Sequence, residues 1–150
     1  MPIKLEDDQM CYVCGSKNPV GLKLRFKRPE KGVLRSTVTF SKEHQGYKNI
    51  VHGGMMGMVL DEMMVNLAWK EGVPAVTAEL TVRLKKAAKI GEKVFLEGRL
   101  EPGESQARVL RATATAKNER GEVLASATAS CIIIRGKSDN PTTHFVCVAD

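Results

Sequence analysis

Aromatic residues are scarce in this chain: they make up 5% of its 150 residues and are scattered along it. This scarcity argues against a platform of stacked aromatic rings for single-stranded nucleic acid. The sequence also shows no zinc-finger pattern and no basic helix, so no nucleic-acid partner is predicted. The net charge of +6 still favours an anionic partner, and a phosphorylated cofactor is one such class.

Long apolar runs are also missing, because no stretch approaches the roughly 20 residues of a membrane span. The polar, acidic start MPIKLEDDQM has neither the features of a secretory signal nor those of a transit peptide. We therefore expect a cytoplasmic protein with no membrane partner. Its 43% hydrophobic residues are typical of a globular chain. The length predicts a single domain over 1–150, with an N-terminal extension over 1–20 and a tail over 136–150.

Alternating apolar residues on both sides of one apolar segment predict the order β-β-α-β-β-β-β. An apolar segment that offers no polar face is typical of a buried helix. These patterns predict an α+β fold in which one antiparallel sheet wraps around a single long helix. The predicted strands cover 21–28, 34–40, 76–85, 94–100, 110–117 and 123–135, and the helix runs from Met55 to Lys70.

Two of the predicted strands carry small side chains along one face. Small side chains let a sheet approach a helix closely, so this face is predicted to lie against the buried helix. The residues are Ala112, Ala114, Ala116, Ala125, Ala127 and Ala129.

His52-Gly53-Gly54 stands where the predicted helix begins. The first turn of a helix carries unpaired N–H groups and a partial positive charge. Glycine lets a ligand approach those groups closely, so the segment is suited to stabilising an oxyanion. The alternative is structural, since Gly-Gly also fits a tight loop before a helix.

Asp61 lies among apolar neighbours on the same predicted helix. A carboxylate in such a place is costly unless it has a function or a partner. It can act as a general base or a nucleophile. A structural ion pair across a subunit interface is the alternative. Glu62 is about 100° further round the helix and is predicted to face a different surface.

Cys11 and Cys14 have the spacing of half a zinc site. The other half would have to come from Cys131, His144 or Cys147, because the chain has no second Cys-x-x-Cys. The sequence therefore favours a pair of reduced, partly buried thiols, and no metal is predicted.

The residues from Gln45 to Gly54, followed by Asp61-Glu62, resemble the His-Gly-Gly-x6-Asp signature of hotdog-fold acyl-CoA thioesterases of the PaaI/THEM4-like group. The strand over 77–83 is similar to the substrate-lining strand of that group. The opening CYVCG with NPVGL is similar to the start of many members. The resemblance covers about 11–135 and implies the hotdog fold.

The resemblance implies a role for each matching position. Asp61 matches the catalytic carboxylate, Gly53 the oxyanion donor, His52 the motif histidine with a positioning role, and Thr77 a residue that orients the water or the carboxylate. For the binding of the substrate and its coenzyme A moiety, the predicted residues are Gly54, Asn49, Arg83, Lys85 and Lys86. Two departures from the group are Asn49, where glycine is common, and the segment 85–87.

The implied activity is hydrolysis of an acyl-CoA to a carboxylic acid and CoA, without a cofactor. The alternative is a non-catalytic acyl-CoA-binding or sensing protein of the same fold. The resemblance also implies a homodimer or homotetramer with active sites between subunits. The alternation of strand 76–85 places Thr77 away from its own helix. We therefore predict that Thr77 meets Asp61 of a partner chain.

Overall fold

Six antiparallel strands and one long helix make up the regular structure in residues 5–103 and 108–134, which are the residues that the computed structural model describes. The elements are β1 (Lys27–Glu30), β2 (Val33–Thr39), a 3-10 turn (Lys42–His44), α1 (Gly53–Lys70), β3 (Ala75–Leu84), β4 (Lys93–Leu100), β5 (Val109–Lys117) and β6 (Val123–Ile133). The sheet order is β1-β2-β4-β5-β6-β3. This arrangement confirms the predicted fold. The tail over 136–150, with His144 and Cys147, lies outside the described residues.

The helix α1 packs against strands β2 to β6 and provides the centre of the core. It begins two residues before the predicted Met55, because His52 is its N-cap. It ends at Lys70, ahead of Gly72, which has a positive φ of 79° and stops the helix. No helix in the described residues combines the length and the apolarity that a membrane span needs.

The alanine face lies against the helix, as predicted. Ala112, Ala114 and Ala116 on β5 pair with Ala129, Ala127 and Ala125 on β6, and all six are buried. Small side chains at these registers leave room for the larger buried residues of α1, such as Leu60, Met63 and Leu67. The chain can therefore bury one continuous core between a single helix and the sheet.

The first strand is displaced from its prediction. Residues 21–26 are not in the sheet; instead, Leu22 and Leu24 donate backbone hydrogen bonds to the carbonyls of Tyr12 and Val13. Lys23 between them has a φ of 52°, which an extended strand does not allow. The strand forms only at Lys27–Glu30 and includes Pro29. Proline is tolerated there because β1 is an edge strand and needs no second set of hydrogen bonds.

Candidate active site

Asp61 and Thr77 meet within one chain. The Thr77 hydroxyl donates a hydrogen bond of 2.7 Å to Asp61 Oδ1, and both side chains are half-buried. The prediction that Thr77 points away from its own helix, toward the Asp61 of a partner, is therefore wrong. Helix α1 and strand β3 position this pair, and the hydroxyl fixes one oxygen of the carboxylate.

A β-bulge explains the failed prediction. The register of β3 against β6 shifts between Thr77 and Glu79. A bulge adds one residue to a strand, so the side chains on either side of it change faces. Ala75 and Thr77 face the helix before the bulge, whereas Val82 packs against the core after it. A strictly alternating pattern through 76–85 does not allow for this change.

Cys131 is a third member of the Asp61 environment, which the sequence reasoning did not identify. It pairs with Thr77 across β3 and β6 and is fully buried. Burial raises the pKa of the Cys131 thiol, a hydrogen bond with Thr77 opposes this rise, and the charge of Asp61 adds to it. The thiol therefore stays protonated beside the carboxylate. No sequence motif marks Cys131, because only the strand register brings it to this position.

Glu62 faces a different set of groups from Asp61, as its position on the helix predicts. Its Oε1 lies 3.8 Å from Cys11 Sγ and accepts a short hydrogen bond from Asn66 Nδ2. Burial raises the pKa of Glu62 to about 7, although hydrogen bonds from Cys14 and Asn66 act in the opposite direction. The pKa of Cys11 is lowered to about 5, chiefly by a hydrogen bond with the Cys14 side chain. Glu62 thus belongs to a thiol cluster rather than to the Asp61 pair.

His52 is the N-cap of α1, and Gly53 and Gly54 are its first two residues. The Gly54 N–H donates a 2.9 Å hydrogen bond to His52 Nδ1. Acceptance at Nδ1 places the proton of a neutral His52 ring on Nε2. No acceptor for the Gly53 N–H occurs among the described residues. Of the two glycine amides, that of Gly53 is therefore the one available to a ligand, and the Gly54 amide is held by His52.

A cavity of about 290 Å³ opens beside the Gly53 end of the helix. Leu84 at the end of β3 covers this glycine so closely that an added Cβ on Gly53 would lie 2.5 Å from Leu84 Cδ1. Lys85 and Lys86 follow directly on the same wall. The structure therefore brings two predicted coenzyme-binding residues to the predicted oxyanion donor. The remaining lining residues are Tyr47, Ile50, Val51, Met56, Ala87, Ala88 and Leu124.

The other predicted binding residues take separate positions. Arg83 is exposed on β3, one residue before Leu84 of the cavity wall, and is not among the residues that line the cavity. Asn49 has a φ of 61°, in the left-handed region that glycine and asparagine adopt most readily. This conformation explains how asparagine stands where related sequences often have glycine. Asn49 shapes the loop before the helix, since its carbonyl accepts a hydrogen bond from Ile90 N.

A larger cavity of about 500 Å³ lies elsewhere, beside strands β2, β4 and β5. Arg35, Phe95 and Lys117 are among its lining residues. It contains none of the predicted site residues. The smaller cavity is the better candidate site, because it combines a glycine amide without an acceptor, cationic side chains and a helix N-terminus.

The two halves of the candidate site are far apart in one chain. Gly53 and Asp61 are eight residues apart on the same helix, which corresponds to about 12 Å along its axis. A single carbonyl group cannot contact both, since an oxyanion donor must lie at about 3 Å from the oxygen. A complete site needs either Gly53 of one copy together with Asp61 of another, or a different donor near Asp61.

Comparison with known proteins gives a family match over the same region. A model of the thioesterase superfamily matches residues 48–125, which contain the histidine-glycine turn, α1 and strands β3 to β5. A search of curated proteins found no significant match.

Several solved structures share the fold. A Streptococcus mutans protein bound to acetyl-CoA has 20% identity, a TM-score of 0.69 and alignment over 77% of this chain and 91% of its own. The Escherichia coli PaaI protein of the phenylacetic acid degradation operon has 15% identity and a TM-score of 0.70, over 77% and 82%. A hypothetical thioesterase from Streptococcus pneumoniae, in an aspartate-to-alanine variant, has 15% identity and a TM-score of 0.68, over 73% and 89%.

Proposed function

Since the chain belongs to the thioesterase superfamily, we propose that it hydrolyses the thioester of an acyl-CoA to a carboxylic acid and free CoA. The observation that carries the proposal is the Asp61 carboxylate, half-buried on the central helix and held by the Thr77 hydroxyl at 2.7 Å. The pneumococcal relative was also crystallised as separate alanine variants of an aspartate and of a threonine sixteen positions later. Asp61 and Thr77 have the same separation.

Asp61 acts on water or directly on the thioester carbonyl carbon. As a general base, it takes a proton from the water whose oxygen attacks that carbon. The tetrahedral intermediate then collapses, the carbon–sulfur bond breaks, and the proton passes to the departing CoA thiolate. As a nucleophile, Asp61 attacks the carbonyl carbon, the carbon–sulfur bond breaks and the CoA thiolate leaves, which gives a mixed anhydride. Water then hydrolyses the anhydride, which releases the carboxylic acid and restores the Asp61 carboxylate. In both cases Thr77 holds one carboxylate oxygen and leaves the other for the reaction.

The Gly53 N–H serves as the oxyanion donor in this proposal. It lies at the positive end of a helix of 18 residues and has no acceptor in the described part of the chain. His52 supports it indirectly by capping the helix through Gly54. A fixed donor of this kind contributes roughly 10²–10³ to the rate, because the negative charge develops only in the transition state.

Coenzyme A recognition is assigned to the cationic end of β3 and the segment after it. Arg83, Lys85 and Lys86 are exposed there, and such side chains suit the phosphates of coenzyme A. Lys86 also forms an ion pair with Glu122, so Arg83 and Lys85 are the stronger candidates. The Streptococcus mutans relative bound to acetyl-CoA supports the ligand class.

The proposed activity predicts release of free CoA from at least one member of a panel of acyl-CoAs of different chain lengths and aromatic acyl groups. Product CoA should be separated and quantified by chromatography, because a thiol reagent would also react with Cys11, whose pKa is lowered to about 5. Turnover of one acyl class would support the thioesterase. Acyl-CoA binding that raises the melting temperature, without turnover of any panel member, would favour the non-catalytic binder instead.

We also propose that the working form is a homodimer or a tetramer built from such dimers. Strand β3 is an edge of the sheet and exposes apolar side chains: Val76 and Leu80 are 38% exposed and Leu84 is 60% exposed. An open, apolar edge is a template for pairing with another strand. Antiparallel pairing with β3 of a second copy brings the Thr77 end of one strand to the Leu84 end of the other, and thus the Asp61 of one copy toward the Gly53 of the other.

This pairing predicts that the 16.4 kDa chain sediments as a dimer or larger and that Leu80→Lys shifts it toward monomer. A lysine on each of two paired edges places like charges together and removes apolar contact. Analytical ultracentrifugation measures both. Thr113→Lys, on the interior strand β5, is the control for an added charge away from the edge. A monomeric wild type at assay concentrations, with full activity, would contradict the proposal.

A further inference from the structure

Two thiols and one carboxylate converge beside the N-terminal part of the chain. Cys11 and Cys14 come from the turn at residues 11–15, and Glu62 comes from α1. One donor atom from each residue lies within 4.8 Å of the other two, and Cys11 Sγ is 3.8 Å from Glu62 Oε1. The three groups are thus brought together from positions about fifty residues apart in sequence. None of them takes part in the proposed hydrolysis.

The turn that carries the two thiols has little conformational freedom. The Gly15 N–H donates to the Cys11 carbonyl at 2.8 Å, and Arg25 Nη1 donates to the Cys14 carbonyl. A Cβ on Gly15 would lie 2.5 Å from the backbone N and O of Cys11, so only glycine fits. The Asn18 side chain donates a further hydrogen bond to the carbonyl of Met10. The loop therefore holds the thiols in place before any ligand arrives.

Glu62 has no basic partner in the described part of the chain, and the buried amide that contacts it is only partly hydrogen-bonded. No lysine or arginine in the described part of the chain forms an ion pair with Glu62. Asn66, which is 2% exposed, donates through Nδ2 to Glu62. The Oδ1 atom of the same amide is buried and has no hydrogen-bond partner among the described residues. A buried acceptor without a partner, on the residue that contacts Glu62, is an observation that an absent water or ion at this site would explain.

We propose that Cys11, Cys14 and Glu62 form a binding site for a thiolate-preferring divalent metal ion of the zinc class. Two thiolates and a carboxylate oxygen are typical zinc ligands, and water completes a tetrahedral set. Metal binding displaces the thiol protons into solvent, so it forms two metal–sulfur bonds and one metal–oxygen bond without oxidation.

The spacing of the donor atoms suits this ion. Zinc–sulfur bonds of about 2.3 Å and zinc–oxygen bonds of about 2.1 Å place tetrahedral ligand atoms about 3.5 to 3.8 Å apart. The observed limit of 4.8 Å requires the donor atoms to close by only about 1 Å. The sequence favoured a metal-free thiol pair because it has no second Cys-x-x-Cys, and the missing ligand is supplied by the helix instead.

A metal ion bound at this site would link the N-terminal segment to the central helix. Glu62 is the neighbour of Asp61 in sequence, so a metal bound through Glu62 restrains the helix at the residue next to the proposed catalytic carboxylate. The role is structural, because the hydrogen bonds of Glu62 go to Cys11 and Asn66, whereas Thr77 and Asp61 bond to each other. The site therefore stands independently of the proposed thioesterase activity.

The test is titration of the reduced, metal-free full-length chain with Co²⁺. We expect one ion per chain, with thiolate-to-cobalt charge-transfer absorption and the intense d–d bands of tetrahedral cobalt, and displacement of both by Zn²⁺. Zn²⁺ should also raise the melting temperature of the wild type, since it binds only the folded chain. Neither measurement involves substrate, so failure here would leave the thioesterase proposal intact.

Single substitutions of the three proposed residues test whether each one is a metal ligand. Cys11→Ser and Cys14→Ser should each lower the charge-transfer absorption to half or less. Glu62→Gln should weaken Co²⁺ binding at least tenfold, because loss of a second-shell partner of a ligand already costs 10–100-fold. Cys131→Ser removes a buried thiol outside the cluster and should leave the spectrum unchanged. Absence of the thiolate band in the wild type, or equal Co²⁺ affinity for wild type and Glu62→Gln, would overturn the proposed site.

Discussion

Replacing Asp61 by asparagine is expected to lower kcat for acyl-CoA hydrolysis at least a hundredfold, since a positioned general base contributes roughly 10²–10⁴ to a rate. Asparagine has nearly the same shape, and its Oδ1 still accepts the hydrogen bond from Thr77. It has no charge, and it neither takes a proton from water nor attacks a carbonyl. The variant should therefore fold normally and bind acyl-CoA with nearly unchanged affinity.

The measurement compares kcat, the dissociation constant for a slowly hydrolysed acyl-CoA, and the melting temperature for wild type and Asp61→Asn. Glu119→Gln, at an exposed turn position, is the control for loss of one negative charge. A variant that keeps more than a tenth of the wild-type kcat would remove Asp61 from the reaction. A similar loss in Glu62→Gln alone would move the role to that carboxylate.

The central helix and the sheet were predictable because their patterns depend on local composition and on burial. The segment 55–70 offers no polar face, and only the middle of the fold can bury such a helix. The alternating alanines at 112–116 and 125–129 likewise point to one face, and both sets are buried against α1. The carboxylate at Asp61 was identifiable because a charge among apolar residues needs a reason.

The orientation of Thr77 was not predictable, because a single inserted residue reverses the two faces of a strand. The bulge between Thr77 and Glu79 has no glycine or proline to mark it. The pairing of Thr77 with Cys131 depends on the register of two distant strands. Convergence of Glu62 on Cys11 also depends on tertiary packing, since the N-terminal segment must fold back onto the helix. These contacts link residues that no local pattern relates.

Replacement of Gly53 by proline is expected to reduce kcat by roughly 10²–10³, the loss that follows removal of one oxyanion-hole donor. Proline has no backbone N–H, but it is well suited to the first position of a helix, which Gly53 occupies. The preceding His52 has φ −59° and ψ 131°, a conformation that proline favours in its neighbour. The helix cap from Gly54 to His52 is untouched, so the fold should be retained.

Gly53→Ala is the matched control, because it adds a Cβ at the same place and keeps the N–H. In both variants the new carbon meets Leu84 Cδ1, which is the movable end of an exposed side chain. We expect the alanine variant to keep activity within about tenfold of the wild type, so the difference between the two reports the donor. Equal losses in the two variants would instead assign the effect to crowding against Leu84.

A mixture of Gly53→Pro and Asp61→Asn chains tests whether each active site is shared between two copies. In an equimolar mixture of Gly53→Pro and Asp61→Asn chains that exchange freely, half of the dimers are mixed. If each site takes Gly53 from one copy and Asp61 from the other, every mixed dimer has one intact site of two, and about a quarter of wild-type activity returns. If both residues act within one chain, the mixture stays as inactive as its components. The separation of about 12 Å along one helix favours the recovery.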